Sequence, residues 1–529
     1  MSEFSQEEEK LLAPYFTNLD KNIFCLTNLP EVVKGALFAR YSRSDKSLRR
    51  TLLDEFIKKE EMGFLDIAGG KPSGKGSAIA IEKAEKFYER VLIGFGDDSV
   101  GELAGVHVAV ENVSNIATKL IEDRRIGISP LEKSSRYVYF DKRDRSGKLY
   151  YREPTIMESG FDKIYEETLD FLFDTYTELI PQVSEYVMKK YPKGEESERA
   201  YDAAVRAKTC DLLRGLLPAA TLTNLGLFGN GRAFEYLLVR LYASRLKEAQ
   251  KIAEDMEEEL KKLIPSFVKR ASSEKGKEMQ EYIRNQRNAA GFAPSKIDIE
   301  KDDNVRLVQY DKNGVEKIVC AILFPYSQTR YAELEKIVKK MGKKEREKIL
   351  DAYVGERKNR RHRPGRAFEN ACYTFEIITN FGAFRDLHRH RILTQERQLL
   401  TTNMGYDMPK EVKEAGAAGK FERAMGEAKK TYEKIAQKFQ EEAQYVVPFA
   451  YRIRFYMTMN AREVYHLTEL RSGMQGHPDY RRIAQKIYLL AKERHPEIFK
   501  YAIVDMNEYG LERIEAEKRL DKRIERLKN

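Results

Sequence analysis

The sequence predicts a helix-rich α+β fold built as two tandem homologous domains. Three observations carry that prediction: long amphipathic helical patterns, short strand-like runs between them, and a set of segments that recurs in the same order. Helical periodicity runs through DMEEELKKLIPSFVKRA and FERAMGEAKKTYEKIAQKFQEEAQ, and β-branched runs such as YVYF and KIVCAIL alternate with such stretches.

The recurrence begins with VVKGALFARYS (32–42) and KIVCAILFPYS (317–327), two apolar helical runs that set Tyr41 opposite Tyr326. GELAGVHVAVENVSN (101–115) then parallels AFENACYTFEIITNF (367–381), pairing Glu102 with Glu369 ahead of a half-buried strand or tight helix. Finally GLLPAATLTNLGLFGNGR (215–232) and YVVPFAYRIRFYMTMNAR (445–462) align without a gap from Pro218 and Pro448 to Arg232 and Arg462. Between the copies, RNQRNAAGFAPSKIDIEKDDN supplies glycine, proline and mixed charge, so the domains are expected at 1–290 and 304–529.

Composition narrows the function classes. Among 529 residues, 42% hydrophobic and 34% charged, no run approaches the ~20 apolar residues of a spanning helix. The acidic start MSEFSQEEEK carries no secretory or transit pattern, which makes the cytoplasm the expected location. Cys25, Cys210, Cys320 and Cys372 form no CxxC pair, which argues against a disulfide framework or a cysteine zinc site. The net charge of +10 arises from 94 basic residues interspersed with 84 acidic ones along helical faces, so nucleic acid is not the expected partner. The glycine- and lysine-rich stretch at 69–77 fails as a phosphate loop because Gly76 follows Lys75. It reads as a mobile surface loop in which Lys71 and Lys75 could close over an anion.

Two constellations carry chemistry. In RDLHRHRILTQER (385–397), Arg389 and Arg391 on alternate residues could grip a phosphate from two angles, with His390 between them. The competing reading is an exposed basic turn or a network with Glu396, and a second RHR occurs at 361–363. No third ligand stands at recognisable spacing from His388 and His390, so no metal is expected. In SPLEKSSRY, the residues Ser129, Glu132, Ser134, Arg136 and Tyr137 could satisfy a nucleotide phosphate and sugar, or form a capped turn before a strand RYVYF.

Together these residues resemble the flavin-dependent thymidylate synthases, whose motif reads RHRxxSxNExSxRY. The second half keeps Arg389, His390, Arg391 and a conservative Thr394, whereas Arg397, Leu399, Thr401 and Thr402 replace Glu, Ser, Arg and Tyr. Read back from Arg136 and Tyr137, the first half keeps Arg124, Ser129, Glu132, Ser134 and the final pair; read forward from Glu102, two residues are inserted. GDDSVGE (96–102) stands where the family has GHxSxxEH, matching at Gly96, Ser99 and Glu102. Toward the end of each copy, the first has Arg214, Asn230 and Arg232 and the second Gln444, Asn460, Arg462, His466 and Arg471. The family's spacing of nine holds between Arg462 and Arg471.

The resemblance implies FAD held by Ser99, Arg389, His390, Arg391, Asn460, Arg462 and His466. It implies a nucleotide held by Arg124, Glu132, Ser134, Ser135, Arg136 and Arg214, with Arg471 activating the pyrimidine. It further implies reductive methylation of deoxyuridylate to thymidylate, with NADPH as reductant and methylenetetrahydrofolate as carbon donor. The two motif remnants are complementary, so one composite site is expected, in a homodimer that reproduces a tetramer. The competing expectations are a flavoenzyme acting on another pyrimidine nucleotide and a non-catalytic nucleotide- or RNA-binding relative.

Overall fold

The computed structural model describes residues 3–58, 101–124, 126–141, 149–292 and 304–528; Ser99 and the stretch at 69–77 lie outside them. The fold is α+β and the duplication is explicit in its two sheets. One sheet has the order β1 (Gly105–Val113), β3 (Thr223–Asn230), β2 (Ile128–Glu132). The other has β4 (Val305–Tyr310), β5 (Cys372–Asn380), β7 (Arg452–Asn460), β6 (Leu393–Arg397). Without the added edge strand β4, the second order repeats the first: each copy inserts its third strand between its first two.

Register settles the two-residue ambiguity of the motif. Ile128 faces Gly229 and Glu132 faces Leu225 in the first sheet, while Leu393 faces Met459 and Arg397 faces Phe455 in the second. Because β3 and β7 align without a gap, Glu132 is the structural counterpart of Arg397, which is the reading taken back from Arg136. The reading taken forward from Glu102 also holds on its own side, since β1 and β5 coincide from Gly105 and Cys372. The two extra residues therefore lie between β1 and β2, in the stretch that holds the helix Asn115–Glu122.

Strand alternation buries one face of each sheet. Ile453, Phe455, Met457 and Met459 point inward from β7, with Tyr373, Phe375 and Ile377 beside them on β5. The same device then turns strand into helix repeatedly. Asn230 accepts from Ala233 N (2.8 Å), Asn380 from Ala383 N (2.9 Å) and Asn460 from Glu463 N (2.9 Å), each capping the helix that follows.

The chain forms two compact units. One comprises 1–112, 120–132 and 223–295, and the other 113–119, 133–222 and 296–529. The second unit thus combines a large part of the first sequence copy with the whole of the second. Within it, Gly215–Ala220 crosses Tyr445–Ala450 antiparallel, with Pro218 opposite Pro448. Ala219 N donates to Val447 O and Phe449 N to Leu217 O, while Ala220 N donates to Tyr445 O and Ala450 N to Gly215 O, all at 2.9 Å. Each bond is matched by its repeat equivalent, so the crossing is a local twofold between the copies. Flanking it, the helices Asp162–Lys190 and Ala418–Ala436 pack together, Thr168 and Thr431 bonding through their hydroxyls at 2.7 Å.

Neither of the two short β-branched runs is a strand, and the first bears out the helical reading of 317–327. KIVCAIL is helical, within Gly314–Leu323, because its apolar residues bury Ile318, Val319, Cys320 and Ile322 on a helical period. Tyr137–Phe140 forms no strand: the chain turns at Ser134–Tyr137 and Arg136 is drawn into the interior.

The crossing leaves little space, since a Cβ on Gly215 would lie 3.2 Å from Ala450 Cβ and 3.3 Å from Phe421 Cζ. Gly215→Val is expected to destabilise the protein by roughly 1–3 kcal/mol through overpacking. Gly426→Ala, in open space on a helix, is expected to stabilise it by up to about 1 kcal/mol. Denaturant unfolding of both variants checks the contrast.

Candidate active site

The second unit gathers charged side chains from both sequence copies into one buried cluster. Arg136, 6% exposed, lies bidentate on Asp211, which the helix Glu198–Leu213 presents: Nε and Nη2 each donate at 2.7 Å. Its Nη1 donates to Tyr480 Oη at 3.0 Å. From the other copy, Arg385 donates through Nη1 to Ser135 Oγ (3.2 Å) with its guanidinium over the Phe449 ring at 4.7 Å. Arg214 donates through Nη1 to Asp386 Oδ2 at 3.2 Å. Arg385 and Asp386 are fixed because Phe384, one residue earlier, packs on Phe455 of β7 and Phe381 on Phe449.

Electrostatics keep both carboxylates ionised. Burial works to raise Asp386, and Arg214, Arg389, Arg136 and Arg471 overcome it and hold the group well below the usual range. Burial likewise works to raise Asp211, and the Arg136 guanidinium lying bidentate on it prevails and holds the group below its usual value.

Beside this cluster opens a cavity of about 1060 Å3, lined among others by Asp211, Arg214, Asn380, His477 and Asp479. Arg214 is buried, yet its Nη2 has no hydrogen-bond partner among the described residues. Gly382 makes room for it, since a Cβ there would come within 3.2 Å of Arg214 Nε.

The RHR end lies in the same unit. His390 is buried and both ring nitrogens are engaged: Nε2 accepts from Arg471 Nε at 3.0 Å and Nδ1 meets Glu463 Oε1 at 2.8 Å. An arginine only donates, so Nε2 carries no proton and the Nδ1–H donates to Glu463. His390, Glu463 and His466 bring potential ligand atoms within 4.8 Å of one another. With both nitrogens of His390 occupied and guanidiniums on several sides, that chemistry does not suit a cation. His466 is pushed down to about 4 by burial and by Arg363, Arg471, Arg360 and Arg462. A recess of about 130 Å3 lies against it, lined by Arg360, Arg361, Arg363, His466, Glu469 and Leu470.

The remaining expected residues are placed as follows. Arg462 is tied to Pro364 O and Glu369 Oε1, both at 2.9 Å. Asn460 spends its side-chain oxygen on the helix cap, and Arg391 is exposed. Ser134 Oγ accepts from Arg136 N within the turn. Arg124 and Glu132 belong to the first unit, where Arg124 lies 5.0 Å over the Tyr236 ring and Glu132 is buried on β2. Arg385, Asp386, Asp211, Tyr480 and Glu463 were not among the residues expected from the sequence. Glu463 had a signal, because Asn460-x-x-Glu463 has capping-box spacing, but that spacing assigns it to the helix end rather than to His390.

A family model described as thymidylate synthase complementing protein matches residues 46–266 and again 306–497. The chain belongs to the thymidylate synthase complementing protein family. A UPF0159 protein of Chlamydia muridarum is 47% identical over 525 residues, 98% of each chain. One of Thermoplasma acidophilum is 34% identical over 516 residues, 92% of this chain and 98% of the relative. A flavin-dependent thymidylate synthase of Sulfurisphaera tokodaii is 30% identical over 217 residues, 37% of this chain and 77% of the relative. The two matched stretches agree with the duplication that the sheets of this family member display.

Among the described residues, no helix is long and apolar enough to cross a membrane. The cluster also sets an acid response. Asp211 and Asp386 titrate lower in the folded than in the unfolded chain, so their contribution is complete above about pH 4–5 and is lost as pH falls below it. Asp211→Asn, which leaves Arg136 buried without its counterion, is expected to destabilise by about 3–5 kcal/mol at neutral pH and to flatten the acid limb. Unfolding midpoints measured from pH 7 to pH 3 read both effects.

Proposed function

We propose that this protein is a flavin-dependent enzyme that methylates deoxyuridylate reductively to thymidylate, using methylenetetrahydrofolate and NADPH, at a site completed by both sequence copies of one chain. The observation that carries this reading is the convergence of Ser135, Arg136 and Arg214 from the first copy with Arg385, Asp386 and, through the shared cluster, Arg471 from the second. Family membership and the name of the Sulfurisphaera tokodaii relative supply the reaction class.

The residues fit the groups this reaction needs. Arg214, with an unpartnered Nη2 at the cavity wall, is suited to a nucleotide phosphate. Arg136, already bonded at all three nitrogens, positions the Ser134–Ser135 turn instead of gripping the anion. The positive surroundings of His466 suit the diphosphate of FAD, to be held by Arg389, Arg391, Arg462 and His466, with Asn460 at the helix start. When bound and reduced, FAD would supply the hydride, which no side chain here can supply. Arg471, half-buried and cationic, would stabilise charge developing at the N3–O4 edge of the pyrimidine. Two chains would assemble as a dimer equivalent to the family's tetramer, with fewer complete sites than copies.

The test begins with the visible spectrum of protein reconstituted with FAD and desalted. Bound flavin is expected in the unaltered chain and its loss in the Arg389→Ala, Arg391→Ala variant; a colourless unaltered protein would refute the reading. Arg214→Ala is expected to raise the KM for deoxyuridylate roughly tenfold to a hundredfold, the loss of one charged hydrogen bond. Should substitutions in the two copies each remove only part of the turnover, independently, the composite site is wrong.

A further inference from the structure

We propose that Glu463 is a positioning residue that acts through His390 to hold Arg471 in its working orientation. This rests on the reading that Arg471 faces the pyrimidine, but the geometry of the relay stands apart from it.

The chain of contacts is short and directional. Arg471 Nε donates to His390 Nε2 (3.0 Å), and the Nδ1–H that this leaves on the ring donates to Glu463 Oε1 (2.8 Å). Glu463 and Arg471 sit near opposite ends of the helix Ala461–Arg471, and His390 enters from the turn between the helix Phe381–Leu387 and β6. Arg471 is therefore tethered at the same atom whichever way its long side chain would otherwise turn. An arginine free to sample several rotamers loses entropy when it meets its substrate, and a tethered one has already lost it.

Glu463 is not needed where it stands for local structure. Asn460 already caps the helix, and the equivalent position in the first copy, Ala233, has its backbone N–H capped in the same way by Asn230. Burying a carboxyl at this position has an evident price, because burial pushes it up to about 8. It is faced by His390 from the turn, by Arg363 from the preceding loop, and by Arg462, His466 and Arg471 from its own helix. As pH rises through about 8 the carboxyl ionises, accepts more strongly from His390, and so makes Nε2 a better acceptor for Arg471. The arginine is held most firmly on the alkaline side.

Glu463→Gln and Glu463→Leu separate this role from a structural one. In the intact protein, nitrogen-15 spectra of the His390 ring are expected to show Nδ1 protonated and Nε2 bare. Glu463→Gln, whose amide oxygen still accepts, should keep that tautomer and lose the rise of kcat near pH 8. Glu463→Leu should lose the fixed tautomer and lower kcat by on the order of 100-fold, with the KM for deoxyuridylate little changed. A His390 ring protonated at Nε2 in the intact protein, or a limb near pH 8 that survives in Glu463→Gln, would overturn the relay. A protein with the expected tautomer but no turnover of deoxyuridylate would leave the relay standing and refute the reaction assigned above.

Discussion

The antiparallel crossing of Gly215–Ala220 with Tyr445–Ala450 is the constraint from which the site follows. Its four backbone bonds come in two symmetry-matched pairs, so the segments before each proline are fixed relative to the opposite copy. Arg214 stands immediately before the crossing, and that position brings its guanidinium to Asp386, a residue 172 positions away in sequence. The twofold supplies a second, equivalent position, where the chain has Gln444 in place of Arg214. Asn115 N donates to Ala219 O and Gly382 N to Phe449 O, which aligns the two following helices and sets Lys119 where the other copy has Asp386. A symmetric scaffold therefore carries unequal charges at its two equivalent places.

The cluster beside Arg214 is difficult to explain by stability alone. Replacing a buried ion pair by apolar residues is often neutral or favourable, so ion pairs at this depth are weak evidence of a stabilising role. What the cluster does is pair Arg136 fully and Arg214 only in part. Asp211 satisfies Arg136 and Asp386 meets one nitrogen of Arg214, yet Arg214 keeps an unpartnered donor at the cavity wall. Asp386 fixes the Arg214 guanidinium without engaging all of its donors. Such an arrangement keeps a cationic group pre-set and dry enough to matter to an anion, which a single surface arginine is not.

Much of this was legible in the sequence because it depends on order and spacing. The gapless alignment of 218–232 with 448–462 anticipated that the segments holding β3 and β7 are equivalent, though not that they are strands with asparagine caps, and the pairing of Glu102 with Glu369 did the same for β1 and β5. What escaped depends on which faces meet. Asp211 lies in an unremarkable helical stretch, and only the turn at Ser134–Tyr137 reveals why Arg136 needs it. The run RYVYF has strand-like residues, but the buried ion pair at its first position overrides that preference, as tertiary contacts commonly do for short segments. Arg124 and Glu132 matched the family motif as well as Ser134 and Arg136 did. Motif spacing follows the chain, whereas the division into compact units cuts it between Glu132 and Lys133.

The relay also explains why the middle of the RHR motif is a histidine. Glu463 and Arg471 are eight residues apart on one helix, an axial separation of about 12 Å, which is beyond direct contact between their polar atoms unless both side chains extend along the axis. A group placed between them must accept from the arginine on one side and donate to the carboxyl on the other. Neutral imidazole does both from opposite edges of one rigid ring, and engaging one nitrogen dictates the protonation of the other. An asparagine offers the same two functions on a shorter arm, and a lysine or arginine offers only donors. With its two nitrogens so committed, His390 can present only its ring face to a ligand. The gripping of phosphate that the tripeptide suggests is then left to the arginines on either side of it.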